Sequence, residues 1–435
     1  MKYVEEIRAA NDNPKRLEDM YQAAHKEERE IEFSFALTTC YQESPDNVLY
    51  AAWYYRLQKS PGEEPVDGRS INWKLAVPLS VISGLIFWFM AGSRFDFPNG
   101  MPFLLLAWAP VGACFVIAFL TLSAGQDKKT PGFVIAGLLL VGLYATLFAT
   151  DRGRSRYRDL MLLHLPLAAW IGTGLSVLHS RPDHGNRFAF LIKSIEVFIT
   201  GGLYLGAGGA FVAITTAMFN ALGIDLSDEI MRFLIGGGAG LIPLLAVAGI
   251  YNPHVGPAMQ KFKQGLGRVI STLMRLLLPL TLLVLIIYLF VIPFNFMEPF
   301  CNRDVLIVYN VMLFAVMGLL VGATPVRSHD LASRHQSVLR AGILAVAILT
   351  VIISLYALSA TVYRTVEGGF TMNRLTIIGW NSVNIGILTL LVYRQFKDGR
   401  EKWIDSLQSV FSWGSIGYIV WTLFLILAIP LLFKG

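Results

Sequence analysis

Residues 339–394 read LRAGILAVAILTVIISLYALSATVYRTVEGGFTMNRLTIIGWNSVNIGILTLLVYR, two apolar runs joined by a polar segment. Each run is about 20 residues long, which is the length an α-helix needs to cross a bilayer core of about 30 Å. The two runs, 339–361 and 375–394, are therefore predicted to cross a membrane as helices. The polar segment between them is predicted to be a loop at a membrane edge.

Runs of this kind recur along most of the chain. Of its 435 residues 54% are hydrophobic and only 15% are charged, whereas soluble proteins carry about 25% charged residues. The pattern predicts an all-α polytopic integral membrane bundle of about eleven transmembrane helices. The predicted spans are 73–92, 102–123, 132–149, 159–178, 195–222, 229–250, 267–292, 304–323, 339–361, 375–394 and 411–433.

The first 70 residues differ in composition from the rest. They hold nine Lys/Arg and fourteen Asp/Glu, a net charge of −5, whereas residues 71–435 have a net charge of +11. Pro14 suits the first position of a helix. We expect one helix from there to about Cys40 and a second over 48–58. The sequence therefore predicts a small helical cytosolic domain with a linker in residues 1–70, and a transmembrane domain in residues 71–435.

Charged loops indicate the orientation of the bundle. Lys and Arg keep loops on the cytoplasmic side, and the predicted loops on the side of the N-terminus hold fourteen of them against ten on the other side. The chain also begins without the apolar segment of a signal peptide. Both features favour a cytoplasmic N-terminus. The arginine-rich loop 150–159 argues against it locally, so either that loop is an exception or one span before it is miscounted.

Several functional signatures are absent from the sequence. The three cysteines lie far apart and form no Cys/His pattern typical of zinc. There is no basic stripe interleaved with aromatic residues, so we expect no nucleic-acid partner. No protease, hydrolase, P-loop or dinucleotide-binding motif occurs. We therefore expect no catalytic residue, no metal site and no cofactor, and the lipid bilayer as the main partner.

Lys193 and Glu196 stand three residues apart at the start of the fifth predicted span, so a helix places them on one face. Single charges inside a membrane are unfavourable, and the two side chains can neutralise each other. In one interpretation the lysine reaches towards the interface beside a local partner. In the other, Glu196 is a carboxylate that binds a proton or a cation.

The polar segment before the tenth predicted span carries the second group of candidate site residues: Arg364, Glu367, Gly369, Thr371 and Arg374. Thr371 suits a helix N-cap and Gly369 suits a positive φ angle. The group can simply end one helix and begin the next, with Glu367 paired to an arginine. Alternatively the two arginines and the positive end of the tenth helix face an anionic ligand.

Asn381 and Asn384 lie farther along the same predicted helix, on one face. They can line a polar path or hold helices together by hydrogen bonds.

Glycine is enriched in the fifth and sixth predicted spans. Gly202, Gly206 and Ala210 are spaced four residues apart, as are Gly236 and Gly240. Small residues at this spacing allow two helices to approach closely in a membrane, so one interpretation is that the two spans form a tight hairpin. The other is that the triple glycine at 236–238 makes an irregular helix that lines a cavity.

The region around Arg364 resembles an uncharacterised bacterial membrane family known as domain of unknown function 4153. Arg364, Gly369, Thr371 and Arg374 are similar to its R-I-x-x-Y-G-x-T-x-x-R pattern, although Gly368 replaces the usual tyrosine. The similarity covers about residues 187–394, the family-like core, and not the first 70 residues. It implies a bacterial cytoplasmic (inner) membrane protein, and it implies no activity because the family has none assigned.

Three functions remain open from the sequence. The first is a transporter or permease for a small solute or ion, which requires broken helices and buried polar groups. The second is a scaffold or sensor that binds a cytosolic partner through residues 46–58, with Trp53, Tyr54 and Tyr55 as contacts. The third, an intramembrane enzyme, is disfavoured by the missing motifs. A polar cavity near Glu196 or Asn381 would indicate transport.

Overall fold

The chain divides into two units, residues 1–70 and 71–435, and each is considered by itself. The computed structural model describes residues 2–26, 30–57, 71–97, 100–125, 127–150, 155–262, 265–326 and 333–433. Throughout these ranges the regular structure is helical, and no strand occurs in them. This agrees with the predicted all-α class. Parts of two expected features, the linker before residue 71 and the loop 150–159, lie outside the described residues.

Within its described residues, the first unit contains four helices where the sequence predicts two. They are α1 (Lys2–Arg8), α2 (Pro14–Lys26), α3 (Glu30–Glu43) and α4 (Val48–Leu57). The prediction of a single helix from Pro14 to about Cys40 is wrong. The rings of Tyr21 and Phe33 lie 5.8 Å apart, whereas twelve residues of straight helix would separate them by about 18 Å. The chain therefore folds back between α2 and α3 so that both helices bury apolar side chains in one core.

Within the described residues of the second unit, eleven helices are long and apolar enough to cross a membrane. Their number and composition indicate a multi-pass integral membrane protein. The helices of this unit are α5 (Trp73–Met90), α6 (Leu104–Ala124), α7 (Lys129–Ala149), α8 (Ser155–Leu178), α9 (His184–Ala221), α10 (Asp228–Arg232), α11 (Gly238–Ile250), α12 (Gly265–Val291), α13 (Glu298–Cys301), α14 (Arg303–Ala323), α15 (Ser333–Gly368), α16 (Met372–Lys397), α17 (Trp403–Leu427) and α18 (Ile429–Leu432).

Two helix ends differ from the prediction in ways that matter for the candidate site. α9 begins at His184 and not near residue 195, and α15 continues to Gly368 instead of ending near residue 361. In both cases the helix extends through a polar stretch beyond the apolar run. α15 ends only at Gly369, whose φ is +79°.

The membrane helices form two packed groups. α5, α6, α7, α8 and α11 contact one another, and so do α12, α14, α15, α16 and α17. Contacts of α17 with α7 and α8 join the groups, and α9 contacts members of both. Successive spans run in opposite directions. We call the face where α5 begins the first face, and the face where α5 ends the second face.

α11 packs against α5 through glycine. A Cβ atom on Gly240 would lie 2.8 Å from the Cα of Gly84, closer than any real side chain allows. α9 and α11 also contact each other, as the predicted hairpin expects, but not through Gly202 and Gly206. Gly202 and Gly206 of α9 have no atom within 4 Å of where a Cβ would stand. Glycine spacing permits a close approach, and here the partner that approaches is α5.

Candidate functional site

The start of α9 is held by side-chain hydrogen bonds. Asp183 caps the helix by accepting from the backbone N–H of Asn186 at 2.9 Å. The side-chain oxygen of Asn186 accepts in turn from the backbone N–H of Ala258, in the segment between α11 and α12, at 2.9 Å. Burial by itself would raise the pKa of Asp183, but the hydrogen bonds from Asn186 lower that pKa below its ordinary value.

Lys193 and Glu196 form a buried ion pair two turns further along α9. The ammonium group donates to the Glu196 carboxylate at 2.7 Å and to the backbone oxygen of Lys261 at 2.6 Å. Both side chains are about 5% exposed. The other carboxylate oxygen lies against Gly267 in the first turn of α12, where the helix dipole favours a negative charge. The pair therefore fixes α9 to the segment before α12 and to α12 itself.

The second group of predicted residues is divided between α15 and α16. Arg364 and Glu367 lie in the last turns of α15, so the expected loop is shorter than predicted. Arg364 donates to the backbone oxygen of Phe300 at 3.3 Å, and Glu367 accepts from the hydroxyl of Tyr363 at 2.6 Å. Among the described residues Glu367 forms no ion pair with either arginine.

The turn into α16 has the geometry that its sequence predicts. Thr371 is the N-cap of α16 and accepts from the backbone N–H of Arg374 at 3.4 Å. Gly369 has a positive φ of +79°. The guanidinium of Arg374 donates to the backbone oxygen of Gly369 at 2.5 Å. Each of the two arginines thus binds a different backbone carbonyl, and the turn is held by its own residues.

Asn381 and Asn384 are both buried in the bundle. The side-chain oxygen of Asn384 accepts from the hydroxyl of Tyr418 on α17, while its amide nitrogen has no hydrogen-bond partner among the described residues. Trp380 on the same helix donates to the Nε2 of His164 on α8 at 3.1 Å. These polar contacts link α16 to α8 and α17, which is the role of polar side chains between membrane helices.

A cavity of about 1240 Å³ lies between α5, the second half of α9, and the α10–α11 span. It is partly open rather than enclosed, and its lining is mostly apolar. We call it the lateral groove. Its lining includes Leu85, Gly208, Gly209, Val212, Leu234 and Leu241.

The wall of the lateral groove between α10 and α11 is an irregular helix. Residues 233–237 form a π-helical turn, which ends in the triple glycine. Such turns occur frequently at functional sites. Gly237 and Gly238 line the groove, as the second interpretation of the glycines expects. On the opposite wall, Gly208 and Gly209 have no atom within 4 Å of a Cβ position, so these glycines leave room in the groove.

Two arginines stand at the second-face end of the lateral groove. Arg232 lies between Met231 and Phe233, which both line the groove, and its Nη1 donates to the Ser93 hydroxyl at 3.3 Å. The next residue, Arg94, places its guanidinium 4.4 Å from the centre of the Phe89 ring. The groove is thus apolar along its length, and two arginines lie next to its lining residues at one end.

The predicted site residues lie in three separate places, and none of the nine lines the lateral groove. Lys193 and Glu196 lie near the first face, Arg364 to Arg374 near the second face, and the two asparagines inside the bundle. Sequence reasoning found the irregular glycine segment but missed Ser93, Arg94 and Arg232. Ser93 and Arg232 are 139 residues apart, so no local pattern connects them.

Within the described residues, no group of three or more His, Cys, Asp or Glu side chains could hold a metal ion. No family model, curated protein or solved structure matches the chain, so the similarity to the family of unknown function 4153 stays a prediction.

Proposed function

We propose that this integral membrane protein is transporter-like and that its ligand is an amphiphile dissolved in the bilayer, which enters sideways through the lateral groove. The observation that carries the proposal is the groove itself. Its volume of about 1240 Å³ exceeds the roughly 300–1,000 Å³ of ordinary small-molecule pockets. A long apolar chain suits a groove of this size and lining better than a compact polar solute does.

The walls of the groove support movement of a ligand. The π-helical turn and the triple glycine make one wall a broken helix, the feature that transporters place at their binding sites. The opposite wall carries Gly208 and Gly209. Helix interiors with glycine are less rigid and roughly 1 kcal/mol per residue less favourable than those with alanine, so both walls can adjust around a ligand.

The polar residues give less support to a small polar solute or an ion. Lys193 and Glu196 bind each other and the chain around them. Asn384 and Trp380 bind side chains of neighbouring helices. A substrate path needs several groups that are free to bind the substrate, and among these four side chains only the amide nitrogen of Asn384 lacks a partner in the described residues.

The experiment compares two substitutions on different faces of α9, about 140° apart around the helix. Gly209→Trp places a large ring in the groove, where no atom lies within 4 Å of the new Cβ. Ile214→Trp places the same ring at a position that is 61% exposed and does not line the groove. Each protein is purified, reconstituted in vesicles, and assayed for bound lipid by mass spectrometry and for transfer of fluorescent phospholipid between leaflets.

We expect wild type and Ile214→Trp to retain lipid and to move it between leaflets, and Gly209→Trp to do neither. Equal lipid retention by all three proteins would contradict a ligand in the groove. Retention without transfer in wild type would contradict the transport part of the proposal.

We also propose that the first face is cytoplasmic and that the membrane is the bacterial inner membrane. The excess of Lys and Arg in the loops of the first face supports the orientation. Reporters fused after residue 57 and after residue 433 should respond from opposite sides of the membrane. Two signals from one side would contradict the orientation and the count of spans.

A second candidate function, a scaffold or sensor, is favoured by the surface of the first unit. Trp53 is buried in the core of that unit and is not available as a contact. Phe35, Val48 and Tyr55 are instead 76%, 81% and 64% exposed. A photo-crosslinking residue at position 55 should trap one defined cytosolic protein, and the same residue at Glu5 should not. Equal labelling at both positions would contradict this candidate.

A further inference from the structure

We infer that the ligand of the lateral groove is a phospholipid with a net negative headgroup, whose phosphate oxygens bind Arg232 and Arg94 at the second face. This inference rests on the proposed function, because it assigns the headgroup of the amphiphile that the groove would hold. It goes beyond that function by naming the chemistry that selects one class of lipid over another.

Most N–H donors of Arg232 form no hydrogen bond within the described residues. A guanidinium carries five N–H donors, and the one hydrogen bond of Arg232 within the described residues goes to the Ser93 hydroxyl at 3.3 Å. That bond directs the side chain towards the end of α5. The remaining N–H groups match the oxygens of a phosphate, which a guanidinium binds in a two-pronged arrangement.

Arg94 adds a second positive charge beside the first. It directly follows Ser93, and its guanidinium lies 4.4 Å and 4.8 Å from the ring centres of Phe89 and Phe95. Stacking on aromatic rings holds the charged group in place without neutralising it. Because Trp88 on the same helix packs edge-on against Phe233 at 5.6 Å, aromatic side chains mark this end of the groove as the level of lipid headgroups.

Four acidic residues, Asp96, Asp225, Asp228 and Glu229, also lie near Arg94 or Arg232 in the sequence. No described carboxylate forms an ion pair with Arg232 or Arg94, although Asp228 and Glu229 stand about one turn before Arg232. Both arginines therefore keep their charge available. A free arginine at a membrane edge attracts anionic lipid by about 1 kcal/mol, and a groove that takes the acyl chain would fix the lipid beneath it.

The experiment measures which headgroups the purified protein prefers. The protein is titrated with phosphatidylglycerol or with phosphatidylcholine, and bound lipid is counted by native mass spectrometry. The variants are Arg232→Gln and Arg94→Gln. The matched control is Arg303→Gln, which removes the same charge from an exposed arginine of the second face at the start of α14.

We expect wild type and Arg303→Gln to prefer phosphatidylglycerol. Arg232→Gln should weaken phosphatidylglycerol binding roughly five- to tenfold and leave phosphatidylcholine binding unchanged. Arg94→Gln should have the same effect to a smaller extent. Arg232→Lys, which keeps the charge but loses the planar fork, should lie between wild type and Arg232→Gln. This variant keeps the test valid if Arg232→Gln does not fold.

Three results would overturn the headgroup assignment. The first is an unchanged lipid preference in both Arg232 variants. The second is displacement of the lipid by inorganic phosphate alone, which would assign the arginines to a free anion. The third is a lipid-free wild-type dimer whose crosslinks pass through the groove, which would assign the groove to a second copy. If the groove-blocking variant Gly209→Trp loses all lipid while Arg232→Gln keeps its preference, the headgroup assignment fails and the proposed function stands.

Discussion

The two halves of α9 differ in the polarity of their side chains and in their surroundings. From His184 to Thr200 the helix is held by Asn186, Lys193 and Ser194, each of which binds another part of the chain. From Gly201 to Ala221 nearly every residue is exposed, and the lateral groove separates the helix from α11. Near its end, Thr216 approaches the sulfur of Met231 at 3.5 Å.

The difference shows which side chains bring two membrane helices into contact. Lipid is as apolar as the helix surface, so apolar residues alone do not draw two helices together. The first half of α9 carries polar side chains that form hydrogen bonds with other parts of the chain, and we call it the closed half. The second half carries glycine and alanine at the spacing that permits close packing, yet Gly202, Gly206, Gly208 and Gly209 have no atom within 4 Å of a Cβ position. Gly240 of α11 packs closely against Gly84 of α5.

The largest effect should come from breaking the ion pair of the closed half. Lys193→Met leaves the Glu196 carboxylate buried without its cation, which should lower the free energy of unfolding by about 3–5 kcal/mol. Replacing both residues, as Lys193→Met with Glu196→Leu, should recover most of that loss because no unpaired charge remains. Thermal unfolding in detergent, followed by tryptophan fluorescence, measures both variants.

If Lys193→Met unfolds at the temperature of wild type, the pair does not hold α9, and the account of the closed half is wrong. If the double variant is as unstable as the single one, the cause is lost packing rather than an unpaired charge.

A smaller effect should follow from disturbing the packing of α11 against α5. Gly240→Leu forces a side chain into the backbone of Gly84, and overpacking of this kind lowers the free energy of unfolding by about 1–3 kcal/mol. Gly206→Leu on the open half of α9 is the matched control, and it should be neutral or stabilising because its surroundings are empty. If both variants lower the free energy of unfolding equally in the same assay, the proposed difference between the packed Gly240 and the exposed Gly206 is contradicted.

The smallest effect should come from removing the N-cap of α9, which is Asp183. The pKa of Asp183 is lowered in the folded protein, so its stabilising contribution is fully present above the ordinary aspartate pKa of about 3.9 and is lost as the pH falls through the lower folded value. Asp183→Ala should lower the free energy of unfolding by about 1 kcal/mol at neutral pH.

Asp183→Asn keeps a capping oxygen and does not titrate. Hydrogen exchange at the first turns of α9 should therefore become faster at acid pH in wild type relative to Asp183→Asn. Parallel pH profiles for the two proteins would show that the Asp183 carboxylate does not contribute.

The sequence predicted the parts of this structure that depend on neighbouring residues. All eleven spans follow from runs of apolar residues. The cap at Thr371 and the turn at Gly369 follow from local backbone chemistry. The apolar run predicts an end of the ninth span near residue 361, whereas α15 continues to Gly368 and Arg364 binds Phe300 from within the helix.

The candidate site could not be predicted in the same way, because it depends on how distant helices are arranged. The lateral groove lies between α11 and the second half of α9. No local sequence pattern predicts how these two helices are arranged there. The triple glycine indicated an irregular wall but not which helix would face it. Arg232 and Ser93 meet only because α5 and α11 pack through Gly84 and Gly240.

The most direct test of the account is a cryo-electron microscopy map of the full chain in lipid nanodiscs. The account predicts that α9 diverges from α11 beyond Gly201, and that an elongated non-protein density runs along Gly208 and Leu241 towards Arg232. A map in which α9 packs along the whole of α11, with Gly208 in contact with Leu241 and no space between them, would contradict it.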